Sequence, residues 1–315
     1  MPSILDTIII KEKGGEKFAK IPSVEILADT YSTCLPDSDL TFWKINRTLQ
    51  ETTRHLFQTK DPAIKKPSTN AFSNCNGRWA EYIFAVYAWN ALADINRRVA
   101  EYNFVYIKLP MNNSKTNIWT SLLSAPFENE LSRFACDSSD PRVAAAGHRE
   151  FLLCSCNPDA IILKYPKDYC RSFLLSPEAE ITSLNLTTLN ILDTLFAALR
   201  STVNPYDNLA VLLSVKTSTR PDRRYQFVHE GDNVKAILLY LINRGIDPRL
   251  EQGFLQKKYY CFSFSALAEA DRKSMETAMT GCLSVPSMPP VWAVDKIFEC
   301  LLPNQVASYI NTILL

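Results

Sequence analysis

Residues 211–231 read VLLSVKTSTRPDRRYQFVHEG, and with Pro158-Asp159 upstream they decide how the rest of the chain is read. An apolar run ends in Ser214-Val215-Lys216, a polar turn carries Arg220, Asp222, Arg223 and Arg224, and Glu230 follows at the mouth of a helix-like stretch. The continuous apolar run from Leu209 to Thr217 predicts a strand buried on both faces and central in a sheet. Ser214 and Lys216 are two apart, so they point to the same face of the pleat. Asp159 opens a second strand, Ala160-Ile161-Ile162-Leu163, and meets Lys216 if the two strands are antiparallel neighbours. Two carboxylates and a lysine gathered at a strand edge suit metal-assisted hydrolysis of a phosphodiester. Asp159 and Glu230 offer hard oxygens to Mg²⁺, and Lys216 supports the attacking water and the charge that develops.

The same segment holds groups that can read bases. Arg220 and Arg223 can donate to guanine O6 and N7, and Asp222 can accept from cytosine N4 in the major groove. Pro221 fixes φ within this loop and limits how the three side chains splay. Arg224 is assigned to phosphate or protein contact. Taken singly, each piece has a commoner meaning. Ser-x-Lys occurs in any half-exposed strand, Pro-Asp makes turns, and Arg-Pro-Asp-Arg-Arg is most often a solvated loop. The conjunction carries the reading.

In order and spacing, these pieces resemble the type II restriction endonucleases of the CCGG family, and in particular the tetrameric branch that cuts R/CCGGY. That family writes its active site as Pro-Asp, a long spacer, Ser-x-Lys, a short spacer, then Glu. Here 54 residues separate Asp159 from Ser214, and 13 separate Lys216 from Glu230, with Arg220-Pro221-Asp222-Arg223 in between. Asn74-Cys75-Asn76-Gly77, followed by Trp79 and Glu81, extends the resemblance over about residues 70–245. The wider PD-(D/E)xK nuclease superfamily usually has a carboxylate where this chain has Ser214; the CCGG branch takes its acid from Glu230 on the following helix instead. A helix N-terminus stabilises negative charge, which would favour Glu230 there.

The resemblance implies a restriction-endonuclease-like α/β fold (mixed α+β), with a central mixed sheet of five or more strands flanked by helices. It implies Asp159, Ser214, Lys216 and Glu230 as the catalytic set, Mg²⁺ on Asp159 and Glu230, and Glu81 at a second metal or its water shell. An exposed helix carboxylate is the plainer reading of Glu81. It further implies double-stranded DNA as substrate and cleavage to a 5′ phosphate with a four-base 5′ overhang. A homodimer or homotetramer and a cognate cytosine methyltransferase are the expected partners.

Composition sets wider bounds. The 315 residues are 47% hydrophobic and 21% charged, ordinary for a globular chain. They suit a single domain over 1–315, with 1–67 as a possible N-terminal subdomain. Net charge is only +1, yet Lys216 to Arg224 holds four basic residues against one acidic, so a basic groove is compatible with a neutral whole. Nine scattered cysteines without a Cys-x-x-Cys pair, and three histidines, argue against zinc and for reduced thiols. No signal-peptide pattern or long apolar run is seen, so a prokaryotic cytoplasm and no membrane are expected.

Along the chain, helices are predicted over Arg78 to Tyr102, entered at Asn76-Gly77, and over Thr187 to Leu199 and Glu230 to Arg244. Strands are predicted at Phe104 to Ile107 and Lys258 to Ser265. Residues 111–150 read as loop plus short helix, Lys60 to Pro67 as a connector, and Ala293 to Leu315 as one or two closing helices. Asn70 to Asn76 is a candidate minor-groove contact, and His229 a surface or capping residue. Two other classes share parts of the pattern. A repair or junction nuclease of this fold would lack the guanine-reading loop, and a catalytically silent DNA-binding protein has no need of Asp159, Lys216 and Glu230 together.

Overall fold

The apolar run that ends at Lys216 is the middle strand of a five-stranded sheet, buried along nearly its whole length. The computed structural model describes residues 3–110, 117–132, 157–217, 221–253, 256–279 and 291–315, and of 221–224 the backbone alone. Its strands are β1 (Ile10–Lys13), β2 (Glu16–Ala19), β3 (Tyr102–Lys108), β4 (Ala160–Pro166), β5 (Leu209–Lys216), β6 (Lys258–Ser263) and β7 (Lys296–Glu299). The helices used below are α1 (Ile4–Thr7), α2 (Ser23–Thr30), α3 (Phe42–Lys60), α4 (Thr69–Arg98) and α5 (Ala125–Ser132). After them come α6 (Leu186–Ala198), α7 (Pro221–Asn243), α8 (Arg249–Gly253), α9 (Glu269–Glu276) and α10 (Asn304–Leu314).

The sheet order is β3-β4-β5-β6-β7. β4 is antiparallel to β3 and β5, while β5, β6 and β7 are parallel. Ala160 pairs with Leu213, and the ladder extends one residue further, where the Asp159 N–H donates to the Leu213 carbonyl at 2.9 Å. The Leu109 N–H donates to the Asp159 carbonyl at 3.0 Å, so the main chain of Asp159 is fixed from both sides. The antiparallel neighbours expected from the sequence are present, and they bring Asp159 level with Ser214.

Helices cover the sheet. Phe84 of α4 packs on Phe262 of β6 at 4.7 Å between ring centroids, and Phe42, the first residue of α3, stacks on Phe264 at 3.9 Å. Residues from the first 67, including Ile26, Leu27, Ile45 and Leu49, lie in the same buried cluster as Ile83, Leu212 and Phe262. The Lys60 to Pro67 connector is held by the Lys65 N–H donating to the Lys17 carbonyl at 2.8 Å. Among the described residues no helix is long and apolar enough to cross a membrane. Cys75, Cys170, Cys261 and Cys300 are free and buried, and Cys34 is free and exposed.

Three expectations need correction. The first helix begins at Thr69, not near Arg78, because Ser68 caps it by accepting from the Ala71 N–H at 3.2 Å, and Asn76-Gly77 lies inside it. It ends at Arg98, so Tyr102 opens a strand instead. The helix expected from Glu230 begins at Pro221, nine residues earlier. Pro suits a first helical position, where a missing N–H costs nothing and φ is already helical. Residues 293–315 contain one helix, α10, preceded by the edge strand β7. Of 111–150, the described part 117–132 holds a single 3₁₀ turn at Ile118–Leu122 and then α5; the remainder lies outside the described residues.

Gly231 shows how tightly α7 is seated. A Cβ there would run into the Ala293 carbonyl oxygen and lie 2.8 Å from Cδ1 of Tyr259. Gly77, inside α4, has nothing within 4 Å of such an atom. Gly231→Ala is therefore expected to lose about 1–3 kcal/mol through overpacking, whereas Gly77→Ala should gain roughly 0.4–1 kcal/mol. Urea unfolding of the two variants beside the parent checks the opposite signs.

Candidate active site

Three elements meet at the C-terminal end of β5. Asp159 enters from the start of β4, Ser214 and Lys216 stand on β5, and Glu230 reaches over from the third turn of α7. One oxygen of Asp159, Oδ2, accepts from the Val215 N–H at 2.6 Å and Lys216 Nζ at 3.0 Å, and lies 3.1 Å from the Ser214 hydroxyl oxygen. Glu230 Oε2 accepts from the Ser214 hydroxyl at 2.5 Å and the Tyr259 hydroxyl at 2.8 Å, and Oε1 lies 3.1 Å from Lys216 Nζ. Lys216 is thus clamped between two carboxylates, and Ser214 touches both.

Burial makes these charges interdependent. Glu230 is 1% exposed, and its pKa is raised, first by loss of solvent and then by the negative charge of Asp159. Lys216 and the Ser214 and Tyr259 hydroxyls oppose that rise. Burial by itself would lower the Lys216 pKa, but Asp159 and Glu230 outweigh it and hold the ammonium above the ordinary lysine range. The helix-end stabilisation expected for Glu230 does not operate, because the effect fades within the first turn of a helix and Glu230 lies beyond it. Its counter-charge is Lys216.

The cluster opens into a cleft of ≈ 1330 Å³. Asp159, Lys216 and Glu230 line one side, and the polar faces of α3 and α4 line the other with Asn46, Arg47, Gln50, Arg54, Asn74, Asn76 and Arg78. Gln50 donates to Asn76 at 3.0 Å, tying the two helices together. Glu81 also faces this cleft, half-buried rather than exposed. Burial and then the charge of Asp159 push its pKa up to about 7, against the pull of Lys108, Lys216 and Arg78.

Among the described residues no group of three or more His, Cys, Asp or Glu side chains is arranged to enclose a metal ion. A magnesium ion needs less than that, since one or two carboxylates suffice when waters complete the octahedron. Asp159 and Glu230 are hard-oxygen donors on a cleft roomy enough for water, and Glu81 lines the same cleft. The donor set fits a hard divalent cation.

Arg220 lies outside the described residues, and Asp222 and Arg223 stand in the first turn of α7, their side chains likewise outside the description. His229 is exposed and within 3.3 Å of Asn233 one turn on. Two neighbours of the cluster were not singled out from sequence. Tyr259 is fully buried and donates to Glu230, and Lys108 lies against the Tyr82 ring with Asp193 at 3.3 Å. Neither has a sequence signal of its own, since both sit in ordinary strand patterns.

The clamp makes a stability prediction. Lys216→Met leaves two facing carboxylates without their cation, and losing one partner of a buried pair costs about 3–5 kcal/mol. Adding Glu230→Gln should recover part of that loss, because the remaining amide needs no counter-charge. Guanidinium unfolding of the parent, both single variants and the double variant measures the coupling; additive losses would mean Lys216 is not what offsets Glu230.

Comparison with known proteins bears on the whole chain. The Cfr10I/Bse634I restriction endonuclease family model matches residues 11–315. The type II restriction enzyme Cfr10I of Citrobacter freundii is 26% identical over 316 residues, covering 98% of this chain and 99% of that protein. The solved structure of Bse634I restriction endonuclease superposes with a TM-score of 0.79 at 24% identity, over 98% of each chain. Its complex with cognate DNA gives the same TM-score and covers 97% of that chain. At that identity the structural match speaks for the fold alone, which is the restriction-endonuclease fold with a five-stranded mixed sheet. The chain belongs to the Cfr10I/Bse634I restriction endonuclease family and is a type II restriction endonuclease.

Proposed function

We propose that this enzyme hydrolyses double-stranded DNA at a CCGG-containing palindrome, R/CCGGY, with Mg²⁺ as cofactor, leaving 5′ phosphates and a four-base 5′ overhang. The observation that carries the reading is the Asp159–Lys216–Glu230 cluster, joined through Ser214, at the edge of a cleft onto which the helix bearing the Arg-rich turn also opens. Asp159 and Glu230 would hold Mg²⁺, with Ser214 assisting directly or through water and Glu81 available to a second ion or its water shell. The bound ion supplies Lewis-acid polarisation of the scissile phosphate. Lys216 orients a water for in-line attack on phosphorus and offsets the charge that builds on the phosphoryl oxygens. The new P–O bond forms as the bond to the 3′ oxygen breaks. No enzyme nucleophile is required.

For recognition, Arg220 and Arg223 would donate to guanine and Asp222 accept from cytosine. The α7 backbone supports this in one respect: Asp222 and Arg223 stand at the start of a helix that continues to Glu230, and a helix fits the major groove. Two copies about a two-fold axis would present the set twice to the palindrome, so the working form is at least a homodimer and, by family likeness, a homotetramer. A prokaryotic cytoplasm and a cognate cytosine methyltransferase to protect the host's own sites complete the proposal.

Ser214 and Glu230 are close enough to exchange duties. Glu230→Gln is expected to lower Mg²⁺-dependent plasmid cleavage by about 100-fold or more, and adding Ser214→Glu should restore part of it, because the serine hydroxyl already touches Glu230 Oε2. Sequencing the ends left by the parent tests the site and the overhang. A Glu230→Gln variant as active as the parent would take Glu230 out of the mechanism.

Each of Arg220→Ala, Asp222→Ala and Arg223→Ala should lose about 1–3 kcal/mol of discrimination between CCGG and single-mismatch duplexes. Arg224→Ala should instead weaken all duplexes alike and flatten the salt dependence. Binding isotherms at several salt concentrations separate the two behaviours, and a reversal would shift the reading register by one residue.

A further inference from the structure

We infer that Tyr259 is a positioning residue for Glu230: its hydroxyl, with that of Ser214, grips one carboxylate oxygen and so aims the other at Lys216 and the cleft. The inference rests on the reading of Glu230 as a metal-holding carboxylate. The terminal torsion of a glutamate is broad and two-fold, so packing alone defines its carboxylate plane poorly. Here Oε2 receives the Tyr259 hydroxyl at 2.8 Å and the Ser214 hydroxyl at 2.5 Å, while Oε1 is left to Lys216 at 3.1 Å. Two donors on the same oxygen set the plane.

The surroundings hold the tyrosine to this task. Tyr259 is 0% exposed, and its ring packs where a side chain at Gly231 would otherwise stand. Its own N–H donates to Asp295 Oδ2 at 2.8 Å, and the same oxygen accepts from Lys235 Nζ at 2.7 Å. Lys235 lies on α7, just over one turn beyond Glu230, and is itself buried. The helix that presents the glutamate is therefore tied through an ion pair to the strand residue that orients it. Partners of metal-ligating carboxylates commonly tune affinity in this way, by fixing orientation without touching the ion.

The test is Mn²⁺ titration, followed by electron paramagnetic resonance, of the full-length enzyme on a cognate duplex and corrected for the duplex alone. Tyr259→Phe keeps the ring and removes only the hydroxyl. It is expected to raise the Mn²⁺ dissociation constant about 10–100-fold, with metal-free duplex affinity and far-ultraviolet circular dichroism unchanged. In a Glu230→Gln background the same change should have no further effect. If Glu230→Gln weakens Mn²⁺ binding and Tyr259→Phe does not, the inference is overturned while the reading of Glu230 stands. If Glu230→Gln also binds as the parent does, that reading itself fails. A further loss on adding Tyr259→Phe to Glu230→Gln would overturn the inference as well, since the hydroxyl would then act elsewhere. Should Tyr259→Phe not fold, 3,5-difluorotyrosine at position 259 keeps the shape and strengthens the O–H donor. It must shift the Mn²⁺ dissociation constant, and an unshifted value would overturn the inference.

Discussion

A single ammonium group makes the heart of this molecule possible. Lys216 Nζ stands 3.0 Å from Asp159 and 3.1 Å from Glu230, and without it a buried and a half-buried carboxylate would crowd the end of the central strand with no cation between them. Repulsion of that kind is ordinarily relieved by protonation, which would strip a carboxylate of its use as a ligand. The lysine offsets it without a proton, and the hydroxyls of Ser214 and Tyr259 favour the charged form by hydrogen bonding, against a burial that still leaves the Glu230 pKa raised. The sheet exists around this arrangement. The antiparallel β4 brings Asp159, the parallel β6 brings Tyr259, and β5 between them supplies both Ser214 and Lys216.

Much of this geometry was legible in the chain. The run Leu209 to Thr217 reads as a central strand because a strand covered on both faces has no polar side to show. Asp159, Ser214, Lys216 and Glu230 stand out by order and spacing, and the structure draws all four together. What escaped was ambiguous for identifiable reasons. Pro221-Asp222 is punctuation that opens helices as readily as turns, so nothing local marks Pro221 as the start of α7. Asn76-Gly77 looked like an entry but lies inside a long helix whose other contacts absorb the cost of glycine.

Other features required knowledge of what packs on what. β7 is four residues long, too short for any periodicity to register. By contrast α3 carries Phe42, Ile45, Leu49, Thr53 and Phe57 on one buried face, a helical repeat present in the sequence but not drawn from it. The Gly14-Gly15 pair between Lys13 and Glu16 is a two-residue hairpin turn, with both glycines at positive φ. Tyr259 is different in kind. Two tyrosines stand side by side, and only the parallel register with β5 decides which of them shares a face with Ser214.

The continuity of α7 has a mechanical meaning. Asp222 and Arg223 belong to its first turn and Glu230 to its third, with no break between them. Along a helix, seven residues span about 10 Å and do not stretch. On the proposed roles, the part that inspects a base pair and the part that serves the scissile phosphate are two marks on one rigid ruler. On those roles a wrong base that lifts the first mark would tilt the second, and fidelity would be exercised in the cutting step as well as in binding. The same rigidity restrains evolutionary drift: a change of recognised sequence must leave the ruler's length and axis untouched, which confines new specificities to those that can be written on the face of the same helix.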